Sequence, residues 1–429
     1  MYPILFFLLL FSALEASKAD EVLTLGKAIE IALSSPNYLQ RNVVYDMAMA
    51  QLEKARTDSK IQTRLDASVY DIGTFSNNEA LKKAIKDSNG NHWATKLVVT
   101  KHIWDKKTDY NIHSLEFEEL AAKVRHSYYR SRLRIDVIRN YFDLLLAKTA
   151  KQVATETRST YFMSFVTAQL MYDAGQLTPA DLNMSIAEDA SKLSIREQSK
   201  IDVIMAAERL AELMGVKEVS ENLEEPVLND KIIDLPSFEL LYDMMIKRNQ
   251  EVIAYDNLIA AAKARVNGVA AKYGPEVSLN LEIGNLGPPY LPDSHYYGNI
   301  NLSWPLLDST RKMKDVDVSE LAVSKLKIDR DIFIRELRRS LQERYLKLQY
   351  LQTIERDARR AEVSFREFAL EKSRVEHQEE LETRVSLRMA ELSGAQLNYK
   401  RNEYNIEIEK LELELLVDRE LATFDTTTH

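Results

Sequence analysis

Cysteine is absent from this chain. That excludes a disulfide framework, thiolate metal sites, a thiol nucleophile and a lipid-modified N-terminal cysteine. Turn formers are scarce too: 429 residues hold 11 glycines and 10 prolines, where average usage would supply about 30 and about 20. Long stretches must therefore run without a turn. This argues against a β-sandwich, against a doubly wound α/β enzyme with glycine-rich loops, and against disorder. The balance of 57 basic and 66 acidic residues, a net charge of −9, gives no basis for nucleic-acid binding. Enzyme signatures are missing as well, with no GK[ST] phosphate loop, no GxSxG elbow and no HExxH. No catalytic residue and no cofactor is expected. The histidines (His92, His102, His113, His126, His295, His377 and His429) are scattered with no pair at ligand spacing, so no metal site is expected. His102, near a predicted strand end, reads as interfacial.

Long apolar runs are confined to the start of the chain. Ile4 to Phe11 (ILFFLLLF) is continuously apolar, and Ser17-Lys18-Ala19 ahead of Asp20 offers the small residues a signal peptidase reads. Residues 1–19 are thus expected to be a secretory signal, although no Lys or Arg precedes the run and a retained anchor is the alternative. No other run approaches the ~20 residues of a membrane helix. An exported chain of this kind can span a membrane only with β-strands.

An internal repeat organises the rest. Thr24 to Gly73 (TLGKAIEIALSSPNYLQRNVVYDMAMAQLEKAR…RLDASVYDIG) matches Ser237 to Gly284 (SFELLYDMMIKRNQEVIAYDNLIAAAKAR…EVSLNLEIG), and VTKHIWD matches LSWPLLD. The expected divisions are a first repeat over 20–216, an acidic linker over 217–236 with Pro226 and Pro236, a second repeat over 237–418 and a tail over 419–429. Each repeat reads as two helices, two strands and a long charge-rich helical hairpin. Strands are expected at about 64–73, 94–104, 277–284 and 297–304, where apolar and polar residues alternate with period two. Leu279, Leu281, Ile300, Leu302 and Trp304 fall on the apolar phase, with aromatic residues at the strand ends. A soluble sheet edge would also explain the alternation. As membrane strands, four cannot close a barrel alone, so copies of the chain must pool them.

The long stretches read as coiled coil. Leu337, Leu341, Tyr345, Leu348, Leu351, Ile354, Ala358, Ala361, Phe365 and Phe368 follow one another at steps of three and four, which predicts one continuous seam. The nearby basic patch of Arg335, Arg338, Arg339 and Arg344 reads as balancing Glu336 and Glu343. At the end of the first long helix, Gly175 suits a left-handed turn, Thr178 a helix cap, Pro179 the first helical position and Asp181 the third, beside the positive helix end. These features describe a well-made turn and need no further function.

With these pieces assembled, the sequence resembles the TolC-type outer-membrane efflux family. The likeness rests on LTLGKAIEIALSSPNYLQ, on LSWPLLDSTRKMK after the last strand, and on YDAGQLTPADLNMSIAE after the first long helix. It covers nearly the whole mature chain, and its ordered duplication is more telling than any one motif. The resemblance implies a mainly α protein with a small β part. Long antiparallel coiled-coil helices would form a periplasmic α-barrel, and four strands per copy would enter a trimeric outer-membrane barrel of about 12 strands. It further implies an exit channel for a tripartite efflux pump or type I secretion system, with a periplasmic adaptor and an inner-membrane pump as partners.

By the same resemblance Ala174, Gly175, Gln176, Thr178 and Pro179 would form an adaptor-docking tip. Asp181, with Glu376, Glu379, Glu380 and Glu382 of a second tip near 374–383, would line a narrow periplasmic mouth. That second tip lacks the family's usual glycine. Its carboxylates read equally as a solvated coiled-coil face. A periplasmic structural coiled-coil protein, or a pump adaptor that forms no pore, is the rival reading.

Overall fold

The computed structural model describes residues 22–70, 83, 92–220, 222–228, 232–285, 295–306, 308–376 and 382–421. The expected signal segment, Glu379, Glu380 and residues 422–429 lie outside these ranges.

Two short helices, α1 (Leu25–Leu33) and α2 (Pro36–Asp58), lead into strands β1 (Gln62–Tyr70) and β2 (His92–Trp104). Helix α3 (Lys106–Asp173) and helix α4 (Pro179–Met214) follow. The order then recurs: α5 (Phe238–Arg248), α6 (Gln250–Ala271), β3 (Glu276–Asn285), β4 (His295–Ser303), α7 (Ser309–Tyr350), α8 (Arg356–Glu376) and α9 (Glu382–Val417). A five-residue π turn, Leu351–Glu355, separates α7 from α8. At about 1.5 Å per residue the 68 residues of α3 extend about 100 Å. No helix among the described residues is long and apolar enough to cross a membrane.

The chain divides into two compact units, and each draws on both sequence repeats. One comprises 1–42, 126–252 and 333–429; the other comprises 43–125 and 253–332. Helices α2, α3, α6 and α7 contribute residues to both.

In the first unit, Ala28 and Ala32 of α1 pack with Val137, Tyr141, Phe142 and Leu144 of α3, Leu210 and Met214 of α4, and Tyr404 of α9. Phe142 and Tyr404 stack with ring centroids 4.3 Å apart. The Tyr141 hydroxyl lies 2.7 Å from the Leu23 carbonyl and 2.6 Å from that of Glu224, so its proton is shared between the chain start and the acidic linker. Burial pushes this phenol up to about 12. A second cluster joins Leu241 and Met245 of α5 to Leu341 and Leu348 of α7 and Leu413 and Leu416 of α9. Between α5 and α6, buried Asn249 donates to the Leu416 carbonyl at 3.0 Å and accepts from the amides of Glu251 at 3.1 Å and Val252 at 3.2 Å. One side chain thus caps a helix start and fastens it to α9.

Within the single chain the expected seam on the last long helix is buried only in its first part. Leu337, Leu341, Leu348 and Leu351 are buried, but Ile354, Phe365 and Phe368 are exposed. The π turn begins at Leu351 and turns the later apolar positions away from the packed side. It also brings Gln352 to the linker, where its Nε2 donates to the Ile233 carbonyl at 3.0 Å.

The second unit holds the sheet, an antiparallel meander in the order β1-β2-β3-β4. Around it, Arg56 of α2 bonds Glu116 of α3 at 2.9 Å, and Arg330 of α7 bonds Asp256 of α6 at 2.7 Å. Both pairs are partly exposed to solvent and add little stability.

Candidate functional site

The sheet has two chemically distinct faces, set by register. Leu65 lies opposite Leu97, which lies opposite Ile283. Val99 pairs with Leu281, Leu279 with Ile300, and Val277 with Leu302. Directly opposed residues share a face, so these side chains form one apolar surface. The structure thus gathers Leu279, Leu281, Ile300 and Leu302 on one side, with Trp304 two positions beyond Leu302. Leu65, Val69 and Ile300 are 68%, 74% and 71% exposed in the single chain. Leu281 is half-buried, and its Cδ1 lies 3.6 Å from where a Cβ on Gly298 would stand.

The other face is polar. Arg64 grips Asp66 through two bonds of 2.7 and 3.0 Å, and Lys96 reaches Glu282 at 2.9 Å. Asn280, Asn299 and Asn301 share this side by register. β1 and β4 end the sheet, so each leaves one edge unpaired within the chain. A large apolar face, a charged opposite face and two open edges do not suit an isolated molecule in water.

The first helical tip is built as its residues dictate. The amide of Gly175, at φ +72°, bonds the Tyr172 carbonyl at 2.9 Å, and that of Gln176 bonds Met171 at 2.8 Å. This paired pattern closes the end of α3 with glycine in the left-handed position. Thr178 caps α4, accepting from the Asp181 amide at 3.3 Å, while its hydroxyl lies 2.6 Å from Asp181 Oδ2. Pro179 opens the helix. Ala174, Gly175, Gln176, Thr178, Pro179 and Asp181 are all exposed. Leu170, Met171 and Met184 are exposed beside them. Sequence reasoning passed over these three, since a stripe of Met and Leu at helical spacing reads as core.

For the second tip, α8 ends at Glu376 and α9 begins at Glu382. Glu379 and Glu380 lie outside the described residues, as do the side chains of Glu376 and Glu382.

An ion cluster absent from the sequence reading ties the first unit together. Glu412 of α9, with 3% of its side chain exposed, receives Arg132 at 2.7 Å, Arg344 at 3.3 Å and Arg139. Glu409, one turn earlier, takes Arg344 at 3.0 Å and Lys347 at 2.7 Å. The basic patch is therefore reassigned. Arg344 answers carboxylates on α9 rather than Glu343, and Arg338 lies over the Tyr242 ring, 5.2 Å from its centroid. Only packing of α3, α7 and α9 could reveal these partners, because they are far apart along the chain.

No protein-family model and no curated protein sequence matches the chain. Solved structures do. The CmeC outer membrane channel of Campylobacter jejuni superposes with a TM-score of 0.73 at 14% identity, over 94% of this chain and 87% of CmeC. The MtrE outer membrane channel of Neisseria gonorrhoeae, in its open state, gives 0.71 at 14% identity, over 94% and 91%. The outer membrane protein VceC of Vibrio cholerae gives 0.69 at 16% identity, over 93% and 96%. At such identities the likeness is one of fold: this chain has the TolC-type fold of these outer-membrane proteins, long helices joined to a four-stranded antiparallel sheet.

Proposed function

We propose that the chain is a protomer of an outer-membrane exit channel, passively exporting small molecules or polypeptides for a tripartite efflux pump or type I secretion system. The observation that carries this reading is the sheet. Its apolar face is exposed, its opposite face carries paired charges, and its two edges are open, which suits one share of a closed barrel with lipid outside and water within. Three copies would supply about 12 strands. The exposed apolar residues of the long helices, Ile354, Phe365 and Phe368 among them, would then be covered by neighbouring copies. Residues 1–19 would direct export, with 20–216 and 237–418 as duplicated halves of the protomer. Leu279, Leu281, Ile300, Leu302 and Trp304 would face lipid. Ala174, Gly175, Gln176, Thr178 and Pro179 would dock a periplasmic adaptor, itself joined to an inner-membrane pump. Energy would come from that pump, and the chain itself would catalyse nothing.

Glu376, Glu379, Glu380 and Glu382, with Asp181, would ring the periplasmic mouth. Single exposed carboxylates are screened within about 8 Å at physiological salt, so only convergence on an axis gives them weight. The test is outer-membrane fractionation, cross-linking and planar-bilayer recording of the purified protein. A threefold cross-linked ladder and cation-selective pores are expected, with selectivity lowered when the four glutamates become Gln. A soluble periplasmic monomer would overturn the channel reading. Unaltered selectivity in the quadruple variant would overturn the mouth assignment alone.

A further inference from the structure

β2 and β3 run in register until His102 stands opposite Ser278, after which the pairing slips and Trp104 stands opposite Val277. The extra residue, Ile103, is a β-bulge, and a bulge resets the alternation of faces. Strict alternation would send His102 and Asp105 to opposite sides. With one residue inserted, both turn to the polar side, the side of Glu276 at the start of β3.

The donor atoms of His102, Asp105 and Glu276 lie within 4.8 Å of one another. His102 Nδ1 is 3.0 Å from Glu276 Oε1. That nitrogen is sealed from solvent and has no partner in hydrogen-bond geometry. Its one close polar neighbour is thus a carboxylate that it faces without hydrogen-bond geometry, an arrangement an ion between the two would satisfy. Asp105 is held in place by its neighbour: Oδ1 accepts from the Thr108 amide at 3.1 Å, and Oδ2 accepts from the Thr108 hydroxyl. Such outer bonds are what orient a ligating carboxylate. Three nearby lysines are engaged elsewhere, Lys101 on the Ser59 carbonyl at 2.7 Å, Lys106 over the Trp104 ring and Lys272 on Asp315 at 3.7 Å, while Lys107 lines one of the adjoining clefts. Clefts on both sides reach the group, one lined by Gln62, His102 and Asp105, the other by Gly274, Asp105 and Glu276. An ion therefore has a path in.

We propose that His102, Asp105 and Glu276 bind a divalent transition-metal ion of the zinc type. One imidazole and two carboxylates balance the charge of a dication and leave a coordination position for water. Calcium and magnesium favour shells made of oxygen alone. The ion would tie the β2–α3 junction to the start of β3, where the sheet gives way to helix.

The test is metal content of the full-length purified protein after loading with Zn2+ and dialysis against metal-free buffer. The unaltered protein is expected to keep about one Zn2+ per chain at this three-ligand site. His102→Ala and Glu276→Gln should each weaken retention by at least about tenfold, with far-UV circular dichroism unchanged. Glu53→Gln, an exposed helical site elsewhere, should keep the metal. Independently of any variant, Zn2+ should shield His102 from diethylpyrocarbonate, read by peptide mass spectrometry. Absence of retained zinc, equal retention in His102→Ala, or a His102 that modifies equally with and without Zn2+ would overturn the proposal. Calcium competing on equal terms would overturn the choice of metal.

Discussion

Arg132 Nη1 donates to Glu412 Oε2 at 2.7 Å, a bond joining α3 to α9 inside the first unit. Arg139 and Arg344 converge on the same carboxylate. Replacing one charge with Gln leaves three guanidinium groups facing a neutral amide. Breaking a buried ion cluster from one side costs about 3–5 kcal/mol. Glu412→Gln is therefore expected to lower the denaturation midpoint of the detergent-solubilised protein markedly. Glu197→Gln, at an exposed pair with Lys200, should leave it unchanged. Equal midpoints for both variants would remove the cluster from the account of stability.

Gly284 sits at φ +153°, and a Cβ there would stand 2.2 Å from the Thr95 carbonyl oxygen. β2 and β3 could not keep their pairing around it. Gly284→Ala should reduce the yield of assembled protein in membranes. Gly298→Ala is the control, because its Cβ would meet Leu281 at an ordinary 3.6 Å. Comparable assembly of the two variants would show that the sheet yields at Gly284.

Register puts Ile300 opposite Leu279 and Asn301 opposite Ser278, on opposite faces of the sheet. If the apolar face meets lipid, Ile300→Arg costs about 2–4 kcal/mol near the bilayer middle. Its assembly in outer-membrane fractions should fall, while Asn301→Arg should assemble normally. Equal losses at both positions would mean that lipid does not select between the faces.

Burial holds the Glu414 carboxyl above the usual carboxylate range, although its Oε1 accepts from the Leu421 amide at 2.9 Å. The folded form thus keeps the proton more tightly than the unfolded chain. The resulting stabilisation is complete below the unfolded value, about 4.3, and is lost as pH rises through the raised folded value. Glu414→Gln keeps an acceptor for Leu421 without a charge. It should be more stable than the parent at neutral pH, with the advantage disappearing in acid. A stability difference independent of pH would contradict this.

How far the sequence reaches differs from element to element. Period-two alternation in Val277 to Ile283 and Ile300 to Trp304 predicts strands, and the structure places strands there. The Gly175, Thr178 and Pro179 turn was legible because each residue acts within a few positions of itself. The seam of the last long helix was legible only to Leu351. The π turn beyond it has no signature in the spacing of apolar residues, since it arises where neighbouring helices pack. Arg344 misled for a similar reason, because a local carboxylate looks like a partner until the helices are folded together.

Composition, the long turn-free stretches and the duplicated order of elements were determined by the sequence itself, because helix and strand periodicity are set by neighbours along the chain. Tertiary structure alone decided which carboxylates answer which guanidinium groups, and which side of the sheet each strand residue joins at the Ile103 bulge. It alone brought Glu276 to His102 and Asp105. Contacts of that kind depend on register and helix packing, whose energies come from residues far apart in the chain.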